Sequence, residues 1–196
     1  QAIYRGDYNK FLKKNSIEEP VVLQFGGSDN ELLKFSTNLA NKYGYQGINL
    51  NVGCPSKKVS QGRMGACLMK EADIVRSCVK VMMRESSSEV SVKCRIGVDE
   101  FESYNFFKEF ISNVSDSGCN TFFIHARKAF LKGLDPKKNR TLPPLKYDYV
   151  YKLKREMPQL NIIINGGIQT LEECHNHLKS VDGVMIGRSI QANPFF

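Results

Sequence analysis

Short apolar segments alternate along the chain with longer stretches whose apolar residues recur every three or four positions. Most of the short segments are rich in β-branched or aromatic residues and lead into a glycine, which is typical of buried parallel strands. The pattern predicts six strands, at residues 21–25, 48–51, 90–94, 121–125, 161–165 and 183–186.

Five amphipathic helices are predicted between or after these strands. Ser28 or Asp29 can cap the first helix and Gly44 can end it, and Thr170 with Glu173 forms a capping box that opens the last. The positions predicted to face the core are Leu32, Phe35, Leu39 and Tyr43; Ile74, Val75, Cys78, Val79 and Met82; Phe106, Phe107, Phe110, Ile111 and Val114; Val150, Leu153 and Met157; and Leu171, Cys174 and Leu178.

Repeated β–α units indicate a parallel α/β fold. A TIM (β/α)8 barrel needs eight strands and the pattern supplies six, so we predict either part of a barrel, with two units preceding residue 1, or an open sheet. The 196 residues, 41% of them hydrophobic, suffice for one domain with a full core. The chain begins without methionine and without a signal-peptide pattern, so we expect it to be a piece of a longer protein.

The positive charge of the chain is unevenly placed. The net charge is +8, and the segment 126–155 holds ten basic residues against two acidic ones. Such a segment indicates a polyanionic partner, RNA or DNA before a membrane, although a solvated lysine-rich surface has the same composition. No apolar run reaches the ~20 residues of a membrane helix, and the six cysteines show no zinc-like spacing. We therefore expect no membrane contact, no metal and a reducing, intracellular compartment, cytoplasmic or organellar.

Cys54 is the first candidate for chemistry. It stands in a turn marked by Gly53 and Pro55, just past the second predicted strand, where catalytic groups gather in barrels and doubly wound folds. Asn49 and Asn51 precede it and can hydrogen-bond a planar heterocycle. This arrangement indicates a reactive thiol beside a ring-shaped ligand, while the alternative is a buried structural cysteine.

Two glycine turns predict a phosphate site. Gly166 and Gly167 follow the fifth strand, and Gly187 and Arg188 follow the sixth. Glycines let backbone N–H groups approach an anion, and barrels often bind phosphate with their last two βα loops. Two ordinary turns are the alternative.

Three further polar side chains stand inside or at the ends of strands. Lys93 lies between Val92 and Cys94, where a cation could stabilise a reduced flavin or, at an edge, extend to water. His125 ends a strand beside the phosphate turns and the basic segment, and is interpreted as a ligand contact rather than a structural histidine. Gln24 can bond a ring edge or cap neighbouring backbone.

Seven segments, taken in order, resemble the tRNA-dihydrouridine synthases, most closely the branch that modifies positions 20 and 20a of the D-loop. Gly53-Cys54-Pro55-Ser56 is the most specific of the motifs. The matching segments are 24–28, 49–56, 62–69, 92–97, 125–128, 139–145 and 165–168.

The resemblance implies an FMN-dependent TIM barrel followed by a helical RNA-binding domain, with NADPH as the reductant. It implies hydride transfer from the flavin to C6 of a flipped-out uracil in tRNA, with Cys54 giving a proton to C5. Residues carried over to the flavin are Gln24, Lys93 and His125 for the ring or its tail, and Asn165, Gly166, Gly167, Gly187 and Arg188 for the phosphate. Residues carried over to uracil, its nucleotide or the tRNA are Asn51, His125, Arg127 and Arg140, with Arg63 facing the tRNA.

By this resemblance, residues 1–196 are an FMN-binding catalytic barrel domain truncated at its N-terminus and lacking the C-terminal helical domain. We expect the isolated chain to bind flavin weakly or not at all and to be inactive, because an incomplete barrel exposes sheet edges. Two other functions stay open at this point. One is a different FMN barrel that reduces a free pyrimidine, and the other is an RNA-binding module without catalysis.

Overall fold

The computed structural model describes residues 2–195, which form one six-stranded parallel sheet with its helices. The strands are β1 (Val22–Phe25), β2 (Gly47–Val52), β3 (Glu89–Arg95), β4 (Thr121–His125), β5 (Asn161–Asn165) and β6 (Gly183–Met185). The helices are α1 (Ala2–Arg5), α2 (Tyr8–Leu12), α3 (Asn30–Lys42), α4 (Lys57–Gln61), α5 (Ala72–Glu85), α6 (Tyr104–Ser115), α7 (Tyr147–Glu156), α8 (Leu171–Leu178) and α9 (Arg188–Ala192), with 3-10 turns at Ser16–Glu18, Gly65–Lys70 and Lys138–Arg140.

The strand order decides between the two predicted architectures. The strands lie side by side in sequence order, β1 to β6, and every pair is parallel. Because β–α–β crossovers are right-handed, an order that never reverses sends every crossover helix to the same face of the sheet. Neighbouring helices accordingly pack against each other, α3 on α5 and α5 on α6. This is the arrangement of a barrel wall and differs from a doubly wound sheet, whose order reverses.

All six predicted strands are confirmed, and no strand end lies more than one residue from its predicted position. The two faces of the sheet, however, differ in polarity, which the apolar runs in the sequence do not indicate. Residues such as Leu50, Val92 and Ile164 are fully buried and belong to the core that the helices cover. Since side chains alternate across a strand, the residues between them point to the opposite face, and many of those are polar.

The predicted core positions hold for three helices and fail in part for two. In α3, Asp29 rather than Ser28 accepts the hydrogen bond from the third helical N–H, at 2.9 Å. Phe35 is exposed and contacts Tyr4 of α1, while Leu33 and Ala40 face the core instead. The apolar residues of α3 fit two neighbouring helix faces, and the prediction took the face that contains Phe35 as the inward one.

The same error occurs in α8. Thr170 and Glu173 form the predicted capping box, and Cys174 is buried as expected. Leu171 and Leu178 are exposed, however, and the inward position belongs to His177. A histidine counts as polar in a sequence pattern, but here its ring packs among tyrosines. The predicted inward face of α8 was therefore wrong, because the true one includes His177.

Helices of four or five residues were not predicted, and neither were the 3-10 turns. They include α4 and the turn Gly65–Lys70, which follow Cys54 directly. An apolar repeat needs about 11 residues to be recognised, so elements of this length carry no periodic signal.

We predict that Leu153→Ala lowers the free energy of unfolding by about 2–5 kcal/mol, because Leu153 is fully buried in α7 and its removal leaves a cavity. Leu142→Ala is the matched control. Leu142 is 63% exposed, so the same truncation should change stability by no more than about 0.5 kcal/mol. Urea unfolding followed by circular dichroism measures both, and equal losses would contradict this assignment of the core.

Candidate active site

The candidate site is built on the polar face, by which we mean the sheet face opposite the helices. Strand alternation places there the side chains of Gln24, Asn49, Asn51, Ser91, Lys93, Arg95, His125 and Asn165. Register brings them into rows across the sheet, with Asn51 beside Lys93 and Arg95 beside His125. The strands also end together, so the loops that follow them share one edge, the rim.

Cys54 lies on the rim in a turn that Asn51 closes. The side-chain oxygen of Asn51 accepts hydrogen bonds from the N–H groups of Gly53 and Cys54, both at 3.0 Å. On the other side, the N–H of Ala66 donates to the Cys54 carbonyl at 2.9 Å. The adjoining Gly65 has a φ of +75°, and a β-carbon added to it would lie 2.5 Å from that carbonyl oxygen. Cys54 is therefore half-buried and fixed at both of its peptide groups.

A chain of amides continues from Asn51 across the polar face. The Asn51 amide donates to Gln24 at 2.8 Å, and the Gln24 amide donates to Asn49 at 2.8 Å. Asn49 donates in turn to Ser91 at 2.9 Å. Gln24 and Asn51 therefore lie side by side, and each uses part of its hydrogen-bonding capacity to orient the other.

Arg95 ties two loops of the rim to each other, the loop after β2 and the loop after β4. Its Nε donates to the Gly53 carbonyl at 2.9 Å, and its Nη1 donates to the carbonyls of Lys128 at 2.9 Å and Asn139 at 3.0 Å. The side chain is buried, and burial lowers the pKa of the guanidinium to about 10, so the group stays charged at neutral pH. Arg95 thereby holds the turn before Cys54 against the loop after β4, which carries Lys128 and Arg140.

Lys93 and Asn165 form a second polar pair on the same face. The Lys93 ammonium donates to the Asn165 side-chain oxygen at 3.1 Å, and the Asn165 amide donates to the Met185 carbonyl at 2.8 Å. Burial lowers the pKa of Lys93 to about 8. Lys93 points across the polar face instead of reaching water at an edge, and Asn165 fixes its position.

The two glycine turns meet in one cleft of about 740 Å³, which we call the cationic cleft. It is lined by both turns together with His125, Arg127, Arg140, Asn165 and Arg188. None of the residues assigned to this lining, within the part of the chain that the structure describes, is acidic. The volume suits a cofactor-sized ligand, and the charge suits an anion.

The conformation of the first turn supports close approach by a ligand. Gly166 and Gly167 have φ values of +114° and +77°, which favour glycine. A β-carbon at Gly166 would lie 3.1 Å from the His125 ring, and one at Gly167 would lie 2.7 Å from Leu145. The turn therefore brings its backbone closer to His125 and the loop from β4 than any other residue type would allow.

His125 is a neutral imidazole surrounded by cations. Burial, followed by the positive charges of Arg95, Lys93, Arg127 and Arg188, holds its pKa far below the ordinary value. Its Nδ1 is buried and, among residues 2–195, has no hydrogen-bond partner. The same holds for the Nε of Arg127, whose Nη1 donates to the Pro143 carbonyl. Buried polar atoms without partners are uncommon, and here they indicate a ligand site.

Not all the predicted residues come together. Arg63 is exposed, with a φ of +50°, and pairs with Glu71 at 2.7 Å. It lines a different cleft, beside Gln24 and Gly26 at the end of β1. Arg140 and Arg188 are exposed at the cationic cleft, where Arg188 donates to the Arg140 carbonyl at 3.3 Å. The rim thus carries two separate clefts, one at the end of β1 and one at the ends of β4, β5 and β6. The Cys54 turn follows β2 and lies between them in the strand order.

The basic segment 126–155 divides into two parts. Lys132, Lys137, Lys138 and Arg140 are exposed in the loop after β4, at the rim. In α7, however, Lys152 pairs with Glu156 at 3.8 Å and Lys154 with Asp182 at 2.8 Å. The segment is therefore not one continuous surface, and only its first half lies beside the site.

Arg95, Asn139 and Tyr147 are parts of the site that we did not single out from the sequence. Arg95 stands two residues after Lys93, and this spacing places both cations on one face of a strand. Asn139 is fully buried and bonds the backbone of Phe130 in both directions, which folds the basic loop. No local sequence pattern predicts that Asn139 folds this loop, because its hydrogen bonds reach Phe130 across nine positions of irregular chain.

No helix within residues 2–195 is long and apolar enough to cross a membrane. In the same range no group of three or more histidine, cysteine or acidic side chains is arranged to hold a metal ion. All six cysteines are free thiols, and Cys78 and Cys174 are buried core residues as predicted.

We predict a stability change with pH that depends on His125. Its pKa is depressed in the folded state, so below about pH 6.5 the unfolded chain binds a proton that the folded chain does not. This contribution to stability is full above pH 6.5 and is lost as the pH falls, by up to about 1.4 kcal/mol per pH unit. His125→Gln should therefore flatten the fall in unfolding free energy between pH 6.5 and 5.

The exposed His175 provides the control. His175→Gln should keep the wild-type slope, as measured by urea unfolding at a series of pH values. An unchanged slope in His125→Gln would show that this ring is not held neutral by its surroundings.

Comparison with known proteins gives a consistent result over the whole chain. Residues 2–196 match the family described as dihydrouridine synthase (Dus). The relatives include proteins named tRNA-dihydrouridine(20/20a) synthase from Pasteurella multocida, 52% identical over 98% of this chain, and from Synechocystis, 48% identical over 100% of it. These alignments cover 59% and 58% of the relatives, so the chain spans about three fifths of their length.

The fold is also similar to that of a solved structure. The chain is similar to one described as QR15, an aldolase, with a TM-score of 0.54 and 16% identity. The alignment covers 80% of this chain and 62% of the other, and at this identity it bears on the fold alone. With the sequential parallel strands, it makes the sheet part of an α/β TIM barrel. The family match and the close relatives together show that this chain belongs to the dihydrouridine synthase (Dus) family.

Proposed function

We propose that the chain is the catalytic barrel domain, residues 1–196, of an FMN-dependent tRNA-dihydrouridine synthase that uses NADPH and acts on D-loop uridine 20 or 20a. The observation that carries the proposal is that the Cys54 turn and the cationic cleft share one rim in a chain of this family. The first and last residues of the range lie outside those that the structure describes.

The residues on the polar face fit a flavin nucleotide. Gly166, Gly167, Gly187 and Arg188 would hold the phosphate, since a β-carbon at either of the first two would crowd the turn. Lys93, His125 and Gln24 would contact the ring or its tail, with Asn165 orienting Lys93. The unpartnered Nδ1 of His125 and the lack of an acidic residue in the described lining of the cleft both favour an anionic ligand.

When bound, FMN would supply a hydride to C6 of uracil, and NADPH would return the flavin to its reduced form. Cys54 would donate its thiol proton to C5, so that one hydride and one proton add across the C5–C6 bond. The hydrogen bonds to Asn51 and Ala66 hold the Cys54 backbone, from which the thiol would reach the uracil. Fixed donors of this kind reduce the reorganisation needed at the moment of reaction.

The tRNA would be bound across the rim. A uracil must leave its stack before a side chain can reach C5, and the exposed cations of the loop after β4 would hold the displaced backbone. Arg140 and Arg127, which line the cationic cleft, would contact the nucleotide. Arg63, which lines the other cleft, would contact a more distant phosphate. Asn51 uses one N–H for Gln24, and its second N–H is proposed to meet the uracil.

Cys54→Ala should reduce dihydrouridine formation by about 10²–10⁴-fold, which is the usual contribution of a positioned general acid. The assay is the dihydrouridine content of unmodified tRNA incubated with the full-length protein, FMN and NADPH. Cys67→Ala is the matched control, because Cys67 is a half-buried thiol whose hydrogen bond goes to the Met64 carbonyl. It should retain activity.

Two outcomes would direct the function elsewhere. If the wild-type protein binds tRNA but forms no dihydrouridine, an RNA-binding module without catalysis becomes the better description. If free uracil or orotate is reduced as well as tRNA, the protein is a different pyrimidine-reducing flavin barrel. Full activity in Cys54→Ala would remove the acid role from this thiol.

A further inference from the structure

We infer that Tyr147 is a positioning residue for the glycine turn at residues 166–167, and that it aims the Gly167 N–H at the phosphate of the flavin. The inference rests on the proposed function, because it assumes that this turn receives the phosphate. Tyr147 itself lies outside the cationic cleft, at the start of α7. It acts on the ligand only through the backbone of the turn.

The turn has little conformational preference of its own. Two consecutive glycines can occupy many combinations of φ and ψ, so an external contact must select one of them. Tyr147 supplies that contact, since its hydroxyl donates a hydrogen bond to the Gly166 carbonyl at 2.6 Å. A β-carbon on Gly167 would lie 3.0 Å from the same hydroxyl oxygen, so the turn is pressed directly against it.

The direction of this hydrogen bond determines the direction of the next N–H. In a trans peptide, the carbonyl of one residue and the N–H of the following one point in opposite directions. Because Tyr147 draws the Gly166 carbonyl toward α7, the Gly167 N–H points away from α7. Among the hydrogen bonds of residues 2–195 this N–H has no acceptor, although Gly167 lines the cationic cleft.

Tyr147 is itself held by two other rings. The imidazole of His177, buried in α8, packs edge-on against it with the ring centres 4.6 Å apart. Tyr151, one helical turn further along α7, bonds the Nδ1 of that imidazole at 2.7 Å. The three rings therefore join the helix before β5 to the helix after it, directly behind the turn that β5 leads into.

The test compares FMN with riboflavin, which has the same ring and no phosphate. In the full-length protein, Tyr147→Phe should weaken FMN binding by about 3–10-fold, the usual worth of one hydrogen bond. Riboflavin affinity should change by less than about twofold, on the same scale. Both dissociation constants are measured by quenching of flavin fluorescence during titration with protein.

Tyr149→Phe is the matched control. Tyr149 lies on the same helix, and its hydroxyl has no hydrogen bond among the described residues. This variant should bind both flavins as the wild type does. The FMN-to-riboflavin ratio separates positioning from a general loss of structure, which would weaken both ligands equally.

The outcomes distinguish this inference from the proposed function. If the wild type binds FMN no better than riboflavin, the turn is not a phosphate site, and both the flavin assignment and this inference are overturned. If the wild type prefers FMN and Tyr147→Phe keeps the full preference, the phosphate site stands and the role of Tyr147 is wrong. Equal weakening of both flavins would also overturn the role.

Discussion

The contacts of the Arg95 guanidinium organise the rim on which the candidate chemistry depends. A buried cation normally needs a carboxylate, and this one is satisfied instead by three backbone carbonyls, one from the loop after β2 and two from the loop after β4. Two of the carbonyls stand directly before candidate site residues: the Gly53 carbonyl precedes Cys54, and the Asn139 carbonyl precedes Arg140. A shift of either loop would leave a buried hydrogen-bonding group unpaired, which costs about 1–3 kcal/mol. The two loops therefore hold one relative arrangement.

Leaving Arg95 without a carboxylate has an electrostatic consequence. Its positive charge, and those of Lys93, Arg127 and Arg188, act together on His125 and keep that ring neutral. A carboxylate placed among them would satisfy the cations, but it would also repel a phosphate. The polar face is thus arranged to accept negative charge from a ligand, and the cost of gathering the cations is offset when one binds.

The sequence predicted the strands, and the meeting of the two glycine turns, more readily than the contacts between side chains and loops at the rim. The strands were predictable because β-branched runs ending in glycine are local signals. That Gly166 and Arg188 line one cleft could be anticipated, because parallel strands place their ends at one rim. The roles of Arg95 and Tyr147 could not, since each depends on a carbonyl group 19 or more positions away. In α3 and α8 the inward face was misjudged, because Phe35 and Leu178 are apolar but the packing selected Ala40 and His177.

The turn at Cys54 fixes the orientation of each side-chain amide in the series that runs from Asn51 to Asn49. The backbone N–H groups of Gly53 and Cys54 can only donate, so the Asn51 side chain must present its oxygen to them. That choice forces the Asn51 amide nitrogen toward Gln24, and then fixes the orientation of Gln24 and of Asn49 in turn. The turn at the rim thus determines which end of each amide donates and which accepts, and no amide can flip without breaking a hydrogen bond. The pattern of donors and acceptors that the polar face offers a ligand is therefore set by the loop above it.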